Sequence, residues 1–192
     1  MLPNAVIVFV LFTVGMTGCA NRRFADRVPT PEWSDFSANL KNYTSLVDSL
    51  EKKLPPLPDK ADAQQIATHK KGLADAVREA RKGAQPGDIF TPSIRERMVS
   101  IIRTEVRGTD GKAAKKTIAE ENPNKPNQPK QAPLSVNAVY PDGVPLSTVP
   151  PTLLLRLPTL PETVEYRFVG KALVLHDVRA NIIADYIPNA LS

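Results

Sequence analysis

Val164-Glu165-Tyr166-Arg167-Phe168-Val169-Gly170-Lys171-Ala172-Leu173-Val174-Leu175-His176 is the stretch that decides the fold class. Apolar Val164, Tyr166 and Phe168 alternate with Glu165 and Arg167, Gly170-Lys171 turns the chain, and Ala172 to His176 returns. A period of two sends successive side chains to opposite faces, so this is a β-hairpin. Just downstream, Ile182, Ile183, Tyr186 and Ile187 favour a strand over 181–187, because β-branched and aromatic side chains fit a pleated surface. The three runs predict a small antiparallel meander closing on Leu191. Upstream, Leu134, Val136, Ala138 and Tyr140 alternate with Ser135, Asn137 and Val139 up to a turn at Pro141-Asp142-Gly143. Leu153 to Leu157 read as a short or edge strand hemmed in by Pro150, Pro151, Pro158 and Pro161.

Before this β-patterned segment lies Asn-Pro-Asn-Lys-Pro-Asn-Gln-Pro-Lys-Gln-Ala-Pro at 122–133, with four prolines and no large apolar side chain. It reads as an extended, semi-rigid linker. Upstream of it the period becomes helical. Trp33, Phe36, Leu40, Tyr43, Val47, Leu50 and Leu54 recur at alternating intervals of three and four, which sets them on one seam. Thr30 suits a cap, Pro31 the first helical position and Glu32 the positive end of the dipole. Pro55, Pro56 and Pro58 end that helix. A returning helix from about Asp62 to Lys82 carries Ala63, Ile66, Leu73, Val77, Ala80 and Ala84 on one side, completing a helical hairpin. A third helix begins at Thr91-Pro92 and bears Ile94, Met98, Val99, Ile101, Ile102 and Val106, a face wide enough for two neighbours. A polar fourth spans about Lys112 to Glu121. Gly108-Thr109-Asp110-Gly111-Lys112 lacks the spacing of a phosphate-binding loop and reads as a helix stop and turn.

At the N-terminus, Ala5 to Phe12 form an uninterrupted apolar run, shorter than the about 20 residues a bilayer span needs. Small residues follow, and Met16-Thr17-Gly18-Cys19 resembles the lipobox of bacterial lipoproteins. That resemblance implies a diacylglyceryl group on the Cys19 thiol and cleavage before it. Cleavage after Ala20 is the second reading and would release a soluble chain without its single cysteine. Leu54 to Ile66 (LPPLPDKADAQQI), Val136 to Pro141 (VNAVYP), Thr148 to Pro158 (TVPPTLLLRLP) and Glu165 to Gly170 (EYRFVG) are similar to stretches of a family of exported bacterial lipoprotein-like proteins with no assigned activity. The resemblance implies an envelope location and supplies no catalytic residue.

The formal charge is +5, from 25 Lys and Arg against 20 Asp and Glu, and the excess lies mainly in 92–133. Arg95, Arg103, Arg107, Lys115 and Lys116 are candidate contacts for anionic headgroups or wall polymers, although glutamates interrupt them and an ordinary solvated face is the simpler explanation. Catalytic constellations are scarce. The chain has two histidines, His69 at the edge of the second helix's apolar face and His176 at a strand end, and no G-x-S-x-G. His176, Asp177, Asn181 and Asp185 gather around one turn, where capping is the simpler explanation and a weak metal contact the alternative.

The expected architecture is therefore α+β: a leader at 1–18, a tether at 19–30, a helical module of three to four helices at 31–121, the linker, and a β module at 134–192. Whether the two modules dock is left open, and separability is the working expectation. The expected protein is non-enzymatic and exported, held to a membrane through Cys19, with no cofactor, no metal and no nucleic-acid partner. It would act as a scaffold or binding partner for an envelope protein or cell-wall polymer. The rivals are an envelope hydrolase using carboxylates, which needs two of them about 5 to 9.5 Å apart, and a periplasmic metal- or stress-responsive binder.

Overall fold

The computed structural model describes residues 33–108, 111–120, 134–141, 144 and 146–192. The leader with Cys19, the tether, the helix start at Thr30-Pro31, the 122–133 linker and the Asp142-Gly143 turn lie outside the described residues. The protein is α+β, with helices in the N-terminal half and a four-stranded antiparallel sheet at the C-terminus.

Helix α1 runs Ser34–Glu51 and buries Phe36, Leu40, Tyr43 and Val47 along the expected seam. Helix α2, Ala63–Ala80, starts at a capping box in which the Asp62 carboxylate accepts from Gln65 N at 2.8 Å and the Gln65 side chain accepts from Asp62 N at 2.9 Å. Its seam is covered only toward its end, at Leu73, Ala74 and Val77, while Ile66 is 39% exposed. Helix α3, Pro92–Arg107, buries Ile94, Met98, Ile102 and Val106, and its wide face touches both helix α4, Gly111–Glu120, and the short helix α5, Pro151–Leu154. A side chain at Gly111 would overlap the Val106 carbonyl, so the chain needs glycine where α3 gives way to α4.

The sheet order is β1-β2-β3-β4, from β1 (Ser147–Thr148), β2 (Val164–Val169), β3 (Ala172–Asp177) and β4 (Ile182–Ile187). The two-residue turn at Gly170-Lys171, with Gly170 at φ 59°, pairs Val169 with Ala172 and hence Glu165 with His176. Between β3 and β4 the register shifts at Leu175/His176, where Leu175 pairs with Asp185 and His176 with Ile183. Ala184 is thus the extra residue of a bulge. A bulge reverses the alternation beyond it, which turns Asp185 toward the helices.

Two sequence-based expectations are corrected. Residues 134–140 are no strand: Asn137 sits in the left-handed region at φ 63°, which an extended strand cannot hold, and one isolated bridge, Val139 to Ile182, remains. The segment is still bonded along β4, through Asn137 N to Ile183 O, Ile183 N to Ala138 O and Tyr140 N to Asn181 O. Leu153 to Leu157, expected as a strand, begins inside α5, because Pro151 at the first turn pre-sets helical φ and loses no needed N–H. The expected three-stranded meander is present as β2 to β4 and gains β1 at its edge, a strand of two residues that carries no periodicity to read.

Helices and sheet share one core. Phe36, Leu40, Leu73, Val77, Phe90, Met98 and Ile102 pack in the same cluster as Val164, Tyr166, Phe168, Leu173, Leu175, Ile182 and Ile187. Phe36 stacks on Phe90 at 5.7 Å and on Tyr166 at 6.5 Å between centroids. Buried polar contacts fix the docking. Tyr43 Oη donates to Asp177 Oδ2 at 2.9 Å, burial first and the carboxylate's charge second pushing that phenol far above its ordinary range, so it stays a donor. Asp177 Oδ1 accepts from the Arg179 and Ala180 amides, and Arg179 reaches back to Asp48 at 2.7 Å and Glu51 at 2.9 Å on α1. The Asp185 carboxylate, fully buried, accepts from the amides of Gly87, Ile89, Phe90 and Tyr186. The opposite sheet face carries a second cluster of Tyr140, Val169, Val174 and Ile183, covered by Leu134, Val144 and Leu146.

Candidate functional site

The edge of the sheet at β2 opens onto a cavity of about 420 Å³. Its wall is apolar and comes from Val149, Leu154, Leu155, Leu157, Pro158, Leu160 and Val164. Leu154 and Leu155, at the end of α5, are 44% and 62% exposed. Pro150, Pro151, Pro158 and Pro161 keep this segment from pairing with β2 as a longer strand. The polar end of the cavity is made by Thr148, Glu165 and Arg167.

Glu165 and Arg167 share a strand face by alternation, and Arg167 Nη2 donates to Glu165 Oε2 at 2.8 Å. The cross-strand partner of Glu165 is His176, whose Nδ1 lies 3.0 Å from Glu165 Oε1. His176 Nε2 lies 3.0 Å from Asn181 Oδ1, and Asn181 Nδ2 donates to the Tyr140 carbonyl at 2.9 Å, which fixes the amide with its oxygen toward the ring. Both ring nitrogens are therefore engaged within the fold, one by Glu165 and the other by Asn181. Asn181 at φ 51° is the residue type that tolerates this backbone, and the tight turn is what brings its amide under the imidazole. Burial alone would raise the Glu165 carboxyl, but hydrogen bonds from Arg167 and His176, with their charges, outweigh it and hold the group below its ordinary value. The Tyr140 ring stands edge-on to His176 at 6.2 Å and closes the inner side.

The turn cluster named from the sequence divides between the two sheet faces. His176 and Asn181 come together behind the cavity, whereas Asp177 and Asp185 face the helices and are consumed by Tyr43 and the backbone amides. Among the described residues no group of three His, Cys, Asp or Glu is arranged to hold a metal. His69 is partly buried and lies 3.6 Å from Glu51. Of the basic residues, Arg103 and Arg107 line a shallow groove of about 270 Å³ with Glu96, Ser100 and Thr104, and Arg103 Nε donates to the Ser192 carbonyl. Arg95 is partly buried beside Gly87, and Lys115 and Lys116 are exposed on α4. Among the described residues no helix is long and apolar enough to cross a membrane.

Sequence reading alone passed over Glu165, Arg167 and Thr148. The signal for the first two was present in the two-residue turn, whose register places Glu165 opposite His176. Thr148 had none, being set by a two-residue strand. Compared with protein families, curated proteins and solved structures, the chain matches none.

Proposed function

We propose that this is a non-enzymatic binding protein of the bacterial envelope, exported by its leader, tethered through Cys19, and binding an apolar ligand or partner in the cavity beside β2. The helices, in this reading a bundle built on the α1–α2 hairpin, serve as the scaffold that fixes the sheet. The observation that carries the proposal is the cavity: about 420 Å³, walled by leucine, proline and valine, with a few convergent polar groups at one end.

The chemistry of its polar end favours binding over turnover. His176 has both ring nitrogens bonded within the protein and does not itself line the cavity. Among the described residues Glu165 is the single carboxylate lining the cavity, and hydrogen bonds from Arg167 and His176 hold it below its ordinary value, which opposes the role of a general acid. Glycoside chemistry would need a second carboxylate there. The test is titration of the full chain with a fluorescent apolar probe such as anilinonaphthalene sulfonate. One saturable site per chain, lost in Leu155→Asp, is expected. Unsaturable binding, or binding unchanged in that variant, would defeat the proposal.

A further inference from the structure

The polar end of the cavity also carries information about what fills it. Arg167 offers five N–H donors. Glu165 takes one through Nη2, the contact from Nη1 to Thr148 Oγ1 is a long 3.5 Å, and Nε is buried without a hydrogen-bond partner. The Arg167 side chain is 28% exposed and lines the cavity. Glu165 is already bonded by both Arg167 and His176, so its carboxylate is engaged within the protein. The Arg167 side chain, with donors to spare, faces an otherwise largely apolar chamber. A cationic ligand would find the cavity's one carboxylate already taken, and a neutral one would leave the guanidinium donors as they are.

We infer that the cavity takes a single-chain aliphatic carboxylate, its head on the Arg167 guanidinium and its chain along Leu154, Leu155, Leu157 and Leu160. The planar guanidinium fork matches a carboxylate. The volume suits one chain, being near the small end of the range for ligand pockets. The exposed Leu154 and Leu155 side chains would be covered by that chain. This inference rests on the cavity being the binding site.

The test is isothermal titration of the full chain with decanoate, decanol and decylammonium, each below the concentration at which it aggregates. Decanoate should bind one per chain and at least about tenfold more tightly than decanol, the size of a charged hydrogen bond. Decylammonium should be the weakest of the three. Arg167→Gln should bring decanoate down to the level of decanol and leave decanol unchanged. Leu155→Asp, at a position already 62% exposed and therefore safe for folding, should weaken decanoate and decanol together. Equal affinity for decanoate and decanol would overturn the carboxylate assignment while leaving the cavity as a binding site. Failure of both to bind would overturn the assignment and the cavity reading with it.

Discussion

Replacing Tyr43 by phenylalanine removes a single oxygen from the contact that ties α1 to the end of β3. The ring remains to fill its place, since Tyr43 is 4% exposed, so the change isolates the hydrogen bond from the packing. What is lost is the donor to Asp177 Oδ2 at 2.9 Å, on a carboxylate with no exposure at all. Oδ1 keeps its two backbone amides, and Arg179 Nε stands 4.0 Å away, so the charge is not abandoned. Oδ2 loses the Tyr43 donor without access to water in exchange. A hydrogen bond to a charged group contributes about 1.5–3 kcal/mol, and an orphaned buried acceptor places the loss in the upper part of that range. Urea unfolding followed by far-ultraviolet circular dichroism and by Trp33 fluorescence would measure it. Because helices and sheet share a core, the two signals should move to a lower midpoint together, as expected of one cooperative unit. A loss below about 0.5 kcal/mol, within the range of an ordinary surface substitution, or a circular-dichroism midpoint that stays put while the Trp33 midpoint shifts, would count against this reading.

Other outcomes follow from the same contacts. Leu40→Ala, at a position 5% exposed in the shared core, should cost about 2–5 kcal/mol in the same urea assay. Glu165 is held below its ordinary value in the folded chain, so its contribution to stability is present above the unfolded carboxyl value of about 4.3 and is lost as pH falls through the lower folded value; Glu165→Gln should remove that part of the acid limb in a melting-temperature profile. Cys19→Ser should abolish incorporation of labelled lipid and move the chain out of the membrane fraction, whereas a wild type released with Asn21 at its N-terminus would contradict the tether.

How much of this was legible depended on whether one residue or a pattern carried the signal. The β2–β3 hairpin and the seam of α1 repeat over many positions, and both appear where their periods put them. The returning helix begins about where its apolar pattern put it, and the Asp62–Gln65 capping box, unread in the sequence, is what fixes that start. By contrast, Leu153 to Leu157 had strand composition, yet Pro151 at a helix start overrode it. Asn137 broke an alternating run through its own backbone conformation, which the apolar pattern does not record. The bulge at Ala184 reversed the face of Asp185, so a turn cluster that looked continuous in sequence was split between two sides of the sheet. Of the candidate site, the Glu165–His176 pair was implicit in the turn, while the cavity wall depended on where proline-rich irregular backbone came to rest.

The central claim, that the cavity beside β2 is the binding site, is tested most directly by leucine-methyl NMR of the full chain during titration with decanoate. The account predicts saturating shifts at Leu154, Leu155, Leu157 and Leu160, with Leu54 and Leu57, which line a separate apolar groove of about 500 Å³ along α2, unmoved. Shifts confined to Leu54 and Leu57, or spread evenly over all leucines, would contradict it.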